Sequence, residues 1–438
     1  MSKHPEREVP QLALEGLVSK ATHQLFRYPA KFHPPVCKTL INRYTVPGDV
    51  ILDPFVGSGT ALVESALARR YSIGIDVDPL ATQISLAKTR AYDISEIRFL
   101  AAELHSYLKN VERAPGDYER LMFDDIPETD YRATITAEGL WVPEIPRLDH
   151  WFRRYVVIDL SRIKKAIDSL TASDKARLFL DTIFGSIIRN SSNADPVPVS
   201  GLEYTSHMKK RDAKGRLVNP FALLRGALKR SISAVEEYSV LQDDDAFEPI
   251  VHCANSTGLS GLISGKVDAV ITSPPYHNAV DYYRRHQLEM FWLGLTNSQA
   301  ERLALLPGYI GRPRIAAKDP LLSLPWEPKE FARDLERRMS QVSQQRATDF
   351  RHYVTAMTQV FEELARVLPG GTPAVFVVGH STWNGEEIST RRLLEELASS
   401  NFALEEQFSY PVKNRYMSYS RKNAANIDRE YVLTFKRL

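Results

Sequence analysis

Val50-Ile51-Leu52-Asp53-Pro54-Phe55-Val56-Gly57-Ser58-Gly59-Thr60 is the stretch of sequence that decides the fold. Its first three residues are apolar and predict a short buried strand, and the pattern of residues 61–69 predicts a helix directly after it. Between them, Gly57 and Gly59 permit a tight turn and let a ligand approach the backbone without a Cβ in the way. A strand, a glycine turn and a helix start in this order predict an α/β fold with an anionic group bound at the helix N-terminus.

A second apolar segment, residues 71–75, predicts another short strand, and it ends at Asp76. An acidic residue about twenty residues beyond a glycine loop can accept hydrogen bonds from both hydroxyls of a ribose. Asp78-Pro79-Leu80 then begins a helix, in which Leu80 lies either against an adenine ring or in the core as an ordinary buried residue. We therefore expect a ligand that contains a ribose.

Another motif, Thr272-Ser273-Pro274-Pro275-Tyr276, follows residues 267–271, which are apolar except for Asp268, and so begins the loop beyond a buried strand. Its two prolines remove two backbone donors and stiffen the loop. The Ser273 hydroxyl and the Pro274 carbonyl can then both accept from one amino group, while the Tyr276 ring offers a stacking face. The motif predicts a pocket for a nucleobase edge with an exocyclic amine, although the same five residues alone would be typical of a proline turn.

Asp-Pro-Phe-x-Gly-x-Gly-Thr at residues 53–60 and Thr-Ser-Pro-Pro-Tyr at residues 272–276 together resemble the DNA amino-methyltransferases that use S-adenosylmethionine. The resemblance implies an α/β fold with the doubly wound, Rossmann-like sheet of class I methyltransferases and a large inserted, mainly helical unit. Adenine-N6 members more often carry Asp where Ser273 stands, so the loop is most like the cytosine-N4 branch. The catalytic residues implied are Ser273, Pro274, Pro275 and Tyr276.

The resemblance also assigns residues to the cofactor. Residues 26–35 resemble the segment that covers its methionine end, although a proline-rich arm packed on the core would have a similar sequence. Residues 250–255 look like a third strand that ends near the adenine, where relatives often carry Asp in place of Asn255. The residues assigned to S-adenosylmethionine are Tyr28, Phe32, His33, Asp53, Pro54, Phe55, Gly57, Gly59, Thr60, Asp76, Asp78, Leu80 and Asn255.

We expect three units along the chain. Residues 1–95 are the N-terminal half of the methyltransferase core, residues 96–248 are an insertion and the candidate target-recognition unit, and residues 249–438 are the C-terminal half. Basic residues gather in the insertion and on a helix expected at residues 281–292, where they suit contacts to phosphates, although charge runs are often only solvated surfaces. The residues assigned to DNA are Lys209, Lys210, Arg211, Arg284 and Arg285.

The composition of the chain argues against membrane-spanning, disulfide-rich and zinc-binding proteins. A chain of 438 residues with 43% hydrophobic content can bury a large core, and no apolar run reaches the length of a membrane span. The first residues have no apolar signal-peptide core, so we expect a cytoplasmic protein. Cys37 and Cys253 are too few for a disulfide framework or a zinc site. We expect both to be buried or half-buried thiols, and we expect no metal.

The function implied is site-specific transfer of a methyl group from S-adenosylmethionine to N4 of a flipped cytosine in double-stranded DNA. The setting would be restriction-modification or phage defence, with a cognate restriction endonuclease as partner. Two alternatives keep the fold but change the target, to adenine N6 in DNA or to a base amine in RNA. Another alternative is an inactive nucleic-acid-binding module that retains the cofactor pocket. The absence of a Pro-Cys pair argues against the cytosine-C5 enzymes.

Overall fold

The computed structural model describes residues 9–14, 21–196, 201–242, 247–277, 281–384, 386–412 and 429–438. Its strands are β1 Val50–Asp53, β2 Tyr71–Asp76, β3 Ile250–Cys253, β4 Ala269–Thr272, β5 Pro373–Gly379, β6 Ser381–Trp383, β7 Glu386–Ile388, β8 Phe402–Pro411 and β9 Arg429–Arg437. Its helices are α1 Pro34–Tyr44, α2 Thr60–Leu67, α3 Pro79–Thr89, α4 Ile94–Lys109, α5 Pro115–Leu121, α6 Glu128–Glu138, α7 Leu148–Trp151, α8 Arg154–Ser169, α9 Asp174–Ser191, α10 Ser206–Ala213, α11 Pro220–Leu241, α12 Tyr282–Arg285, α13 Gln287–Trp292, α14 Gln299–Leu305, α15 Glu330–Val342, α16 Gln344–Val367 and α17 Thr390–Ala398.

Within the described ranges, seven strands form one sheet in the order β3-β2-β1-β4-β5-β9-β8, and β6 pairs with β7 separately. β1 to β5 are mutually parallel, whereas β9 is antiparallel to both of its neighbours. The direction of strand addition reverses between β1 and β4, and open α/β sheets bind ligands beyond the carboxyl ends of the strands at such a point. The strand order confirms the predicted doubly wound, Rossmann-like methyltransferase sheet, and helices fill the described chain between β2 and β3.

Both faces of this sheet are covered, because successive side chains of a strand point to opposite sides. Leu52 of β1 packs in one core with residues of α15, α16 and α17, and neighbouring Ile51 packs in another with residues of α1 and α2. Strands that are buried on both faces have continuous apolar runs in their sequences, and for this reason β1, β4 and β5 could be predicted.

A third core belongs to the inserted helices. Residues of α4, α5, α8, α9 and α11 form it together with α13, which follows the predicted catalytic loop. Trp292 of α13 is fully buried there, with its ring centroid 5.9 Å from that of Phe152 and 6.2 Å from that of Phe184. The boundaries 96 and 248 stay a prediction, since this core draws on residues beyond them.

The helix expected at residues 281–292 is two short helices, α12 and α13, which meet at His286. His286 has φ −89° and ψ 3°, outside the helical region, and its side chain is paired with Asp78. The periodicity of the apolar residues indicates a helix but does not reveal this break, because the pairing partner lies far away in the sequence.

Cys37 is buried as expected, but Cys253 is exposed, because it ends the edge strand β3. The expectation of a buried or half-buried thiol at Cys253 was therefore wrong. Among the described residues, no group of three or more His, Cys, Asp or Glu side chains is arranged to hold a metal ion. The helices in the described part of the chain include none that is long and apolar enough to cross a bilayer.

Candidate active site

The two motifs meet because β1 and β4 are neighbours, with Ile51 paired to Ala269 and Leu52 to Val270. Beyond these pairs, the Thr272 hydroxyl donates a hydrogen bond of 2.6 Å to Asp53 Oδ1, across a separation of 219 residues in sequence. Both side chains are buried, and burial raises the pKa of Asp53 to about 6 although the Thr272 hydrogen bond opposes it. The glycine loop and the proline loop therefore begin side by side at the switch point of the sheet.

The loop after β1 requires glycine at two positions. Gly57 has φ +48° and Gly59 has φ +77°, which are left-handed values that other residues rarely adopt. A Cβ on Gly59 would lie 2.7 Å from Ser85 Cβ of α3, which is too close for any larger residue. A Cβ on Gly57 would lie 3.5 Å from Tyr28 Cε1, so the Tyr28 ring covers this part of the loop.

The loop leads into the N-terminus of α2. Gly59 occupies the N-cap position, and within the described chain no side chain caps the free N–H groups of the first turn. Thr60 is 2% exposed, and its hydroxyl has no hydrogen-bond partner among the described residues. Open amides, a buried unpaired hydroxyl and a positive helix end fit the carboxylate of an amino acid.

Asp76 ends β2 beside this loop and is half-buried. Its Oδ2 accepts a hydrogen bond of 2.9 Å from the Gly57 amide, and its Oδ1 accepts one of 3.0 Å from the Asp78 amide. Burial, followed by the Asp78 carboxylate, raises the pKa of Asp76 to about 7. Each carboxylate oxygen retains a lone pair, so the group can still accept from a pair of ribose hydroxyls.

Asp78 and Leu80 are differently placed from the cofactor contacts that were assigned to them. Asp78 is 1% exposed; its Oδ1 accepts from the Leu80 amide at 2.9 Å, and its Oδ2 pairs with His286 Nδ1 at 2.7 Å. Leu80 is fully buried against Phe26 and Met290, in agreement with the alternative of a core residue at a helix start. Both side chains are buried at the first turn of α3, which faces the core, so they stabilise the loop after β2 from the interior.

An aromatic cluster lies beside Asp76. The rings of Tyr28 and Tyr282 stack with centroids 5.5 Å apart, and the Tyr28 ring is 4.9 Å from that of His286. Burial and then the Asp76 carboxylate raise the pKa of Tyr282. Tyr282 was not predicted; its signal in the sequence is an aromatic residue that follows the catalytic loop by only a few positions.

The rest of the proline-rich segment leads into α1. Phe32 is half-buried and packs on the core that α1 shares with the sheet. His33 is exposed at the N-cap of α1, where its carbonyl accepts from the Val36 and Cys37 amides and no side-chain cap forms within the described chain. These positions agree with the alternative of an arm packed on the core, and Tyr28 is the member of the segment that reaches the glycine loop.

Three further assigned residues lie around the ends of β1 and β3. Pro54 is buried, and its carbonyl accepts from the Ser256 hydroxyl, while Phe55 is half-buried against the sheet core. Asn255 caps the 3-10 turn that follows β3, because its Oδ1 accepts from the Thr257 amide at 3.0 Å. Among the described residues, no recorded hydrogen bond uses the Asn255 Nδ2 donor, so a ligand could accept from it.

The proline loop is braced by groups that the sequence did not reveal. The Tyr353 hydroxyl donates to the Pro275 carbonyl at 3.1 Å, and a Cβ on Gly311 would lie 2.6 Å from the Tyr276 carbonyl oxygen. Burial and then the Glu430 carboxylate raise the pKa of Tyr276, whereas hydrogen bonds with the Gly379 backbone and Ser273 oppose this. Ser273 and Tyr276 are thus neighbours, and both are half-buried.

Arg285, which was assigned to phosphate, is 2% exposed, so its side chain lies in the protein interior in this conformation. Burial and then the nearby Arg189 guanidinium lower the pKa of Arg285 to about 10. The side chain of Arg284 is 52% exposed and approaches Asp281 only to 4.0 Å, so it remains open to a phosphate. Adjacent residues of a helix point in directions about 100° apart, which separates the two arginines.

The remaining assigned cations, Lys209, Lys210 and Arg211, are exposed on α10. The Lys209 ammonium lies 5.5 Å from the centre of the Tyr204 ring, and within the described chain none of the three forms an ion pair that the structure records. By contrast, Arg153 and Arg162 elsewhere in the insertion are paired with Asp212 and Glu138. The α10 cations are therefore available to a polyanion.

Parts of this sequence are similar to known proteins. Residues 8–87 match the family model N6_N4_Mtase, described as DNA methylase. The type II methyltransferase M.MvaI of Kocuria varians is 23% identical over 393 residues, which cover 86% of this chain and 80% of that protein. The type II methyltransferase M.BsoBI of Geobacillus stearothermophilus is 24% identical over 301 residues, which cover 65% of this chain and 55% of that protein.

Among solved structures, the rRNA methyltransferase aviRa from Streptomyces viridochromogenes aligns with a TM-score of 0.30 and 11% identity, covering 93% of this chain and 88% of that one. The chain is thus similar in sequence to type II methyltransferases over most of its length, and its residues 8–87 match the DNA methylase model.

Proposed function

We propose that this protein transfers a methyl group from S-adenosylmethionine to N4 of cytosine at a specific site in double-stranded DNA. It would act as the modification partner of a cognate restriction endonuclease. The observation that carries the proposal is the Thr272–Asp53 hydrogen bond, which places the Ser273 loop beside the glycine loop. The DNA methylase match and the type II names of the relatives support DNA as the substrate.

The glycine loop and its neighbours fit the cofactor. Thr60 and the first turn of α2 would hold the carboxylate, and Asp76 would hold the ribose. Tyr28 and Tyr282 would bound the pocket on the side of the proline loop. When bound, S-adenosylmethionine supplies an electrophilic methyl group on a sulfonium.

The proline loop would act on the amine through positioning. The lone pair of an arylamine is delocalised into its ring, so the nitrogen is a poor nucleophile. Hydrogen bonds from the amine to the Ser273 hydroxyl and the Pro274 carbonyl favour a pyramidal nitrogen, whose lone pair is then free to react. Stacking on Tyr276 offsets part of the few kcal/mol that base unstacking costs.

Ser273 is the basis for choosing cytosine, because a hydroxyl stands where adenine-N6 enzymes more often carry a carboxylate. Adenine N6 is the second candidate, since the matching family model covers both targets. Lys209, Lys210 and Arg211 on α10, together with Arg284, would contact DNA phosphates, and residues 96–248 would recognise the site.

The test uses purified protein, genomic DNA of mixed sequence and S-adenosylmethionine, followed by nucleoside digestion and mass spectrometry. We expect N4-methylcytosine. Ser273→Ala should lower turnover by about two orders of magnitude, the range for one lost transition-state contact, with little change in cofactor affinity. Ser340→Ala, an exposed helix serine, is the control and should retain activity. N6-methyladenine would contradict the base assignment, and methyl transfer to RNA alone would contradict the DNA assignment.

A further inference from the structure

Lys88 of α3 is a buried cation directly beneath the glycine loop. Its side chain is 0% exposed, and its ammonium donates a hydrogen bond of 2.8 Å to the carbonyl of Ser58. Ser58 lies between the two left-handed glycines, so this bond fixes the peptide at the centre of the loop. Neither the cofactor assignment nor the family motifs include Lys88.

Within the described chain, no carboxylate forms a recorded ion pair with Lys88. Glu64 of α2 is paired instead with His23, at 2.6 Å between Oε1 and Nε2, and both groups are buried. Burial, followed by the neighbouring Lys31 ammonium, lowers the pKa of Lys88 well below its usual range. An ammonium buried without a counter-ion is costly, and an anion that binds nearby reduces this cost.

The site for such an anion lies on the ligand side of the same loop. The first turn of α2 presents uncapped amides, and the unpaired Thr60 hydroxyl is buried beside them. A helix N-terminus attracts an anion through its dipole, and a buried positive charge close to it strengthens the attraction, because little solvent screens it.

We propose that Lys88 is a positioning residue for the carboxylate of the cofactor's amino-acid end. It holds the Ser58 peptide so that the α2 amides face the ligand. The bound carboxylate in turn favours the ammonium form of Lys88, which burial disfavours, and the ammonium then adds to the potential of the helix end. This inference rests on the proposed use of S-adenosylmethionine.

Calorimetry with two ligands tests the inference. S-adenosylhomocysteine carries the amino-acid carboxylate, whereas 5′-methylthioadenosine shares the adenosine and the thioether but lacks that carboxylate. Lys88→Met should weaken binding of S-adenosylhomocysteine about tenfold to a hundredfold, the range for a lost charge-assisted contact. Binding of 5′-methylthioadenosine should stay near the wild-type value.

Thr22→Val is the matched control, because the Thr22 hydroxyl donates to the Lys88 carbonyl at 2.7 Å and lies in the same buried region. It should leave the ratio of the two affinities unchanged. If Lys88→Met does not fold, Lys88→Gln retains a donor but removes the charge, and it should change the ratio in the same direction.

An equal loss of affinity for both ligands, or no loss for either, would overturn the role of Lys88. A wild-type protein that binds neither ligand would instead contradict the proposed cofactor, so the two failures are distinguishable.

Discussion

Two opposing effects act on the ionisation of the Asp76 carboxylate. It accepts from the Gly57 and Asp78 amides, which favours the ionised form, yet burial and the Asp78 carboxylate raise its pKa to about 7. Because the folded-state pKa lies above the ordinary value of a carboxyl group, the neutral form of Asp76 stabilises the fold relative to the ionised form. This contribution to stability is lost as the pH rises through about 7. Ribose hydroxyls donate to the ionised form, so ligand binding should recover part of this stability.

We therefore expect the affinity for S-adenosylhomocysteine to fall as the pH is lowered from 8 to 6, because neutral Asp76 loses acceptor capacity. Asp76→Ala should weaken binding by about 1 to 3 kcal/mol at pH 8 and should reduce the pH dependence. Calorimetry across this pH range measures both effects. An unchanged dissociation constant in the variant would mean that Asp76 does not hold the ribose.

Single residues show how far a sequence can be interpreted. Gly57, Gly59 and the Thr272–Tyr276 loop could be predicted to lie together, because their residue types are tied to backbone geometry at strand ends. The burial of Asp78 and Arg285 could not be predicted, because it depends on the rotation of α3 and α12 against distant elements. Tyr353 and Lys88 were missed since each acts on a loop far away in the sequence.

At the scale of secondary-structure elements, Thr272 joins β4 to β1. Thr272→Val keeps the shape of the side chain but leaves buried Asp53 with one donor fewer, so it should lower the free energy of unfolding by about 1 to 3 kcal/mol. Thr272→Ser retains the hydroxyl and should recover most of the loss. Urea unfolding measures the difference, and equal stability of the valine and serine variants would show that the hydrogen bond contributes little.

The exposed cations of α10 give a second prediction for one element. Replacing Lys209, Lys210 and Arg211 by Ala should weaken DNA binding and reduce the slope of log K against log salt by up to about 0.9 per lost phosphate contact. Fluorescence anisotropy at several salt concentrations measures the slope.

A control triple removes the same number of positive charges from Arg98, Lys175 and Arg225, which are already paired with Glu236, Glu248 and Glu112. Its slope should stay near that of the wild type. Equal salt slopes in the two triple variants would show that the α10 cations lie on an ordinary solvated surface and do not contact DNA.

At the scale of the whole molecule, the doubly wound sheet was predictable because β1, β4 and β5 are apolar runs and the motifs at the ends of β1 and β4 resemble those of a known family. The relation of the insertion to the core was not predictable. Apolar periodicity indicates α9 and α11, but the contribution of Trp292 to their core arises from packing between segments far apart in sequence. The chain is therefore better described by its hydrophobic cores than by the predicted boundaries of its three units along the sequence.

This shared core predicts how the protein unfolds. Trp292→Ala should lower the free energy of unfolding by about 3 to 5 kcal/mol, the cost of removing a large buried aromatic side chain. In the wild type, circular dichroism and tryptophan fluorescence should give coincident urea transitions, because α13 packs both on the inserted helices and on α3. Two separated transitions would mean that the insertion folds independently.

β1 and β4 are neighbours in the sheet, yet the inserted helices separate them in sequence, so the chain could be split between them into two polypeptides. A gene cut after α11 would encode two polypeptides, one with β1, β2 and the inserted helices, the other with β3, β4 and the strands beyond them. Neither could complete the sheet alone, since β2 pairs with β3 and β1 with β4. Fused to two proteins of interest, such halves would reconstitute the pocket only where those proteins meet. If the halves methylate DNA as proposed above, methyl marks on nearby DNA would be a lasting record of the encounter.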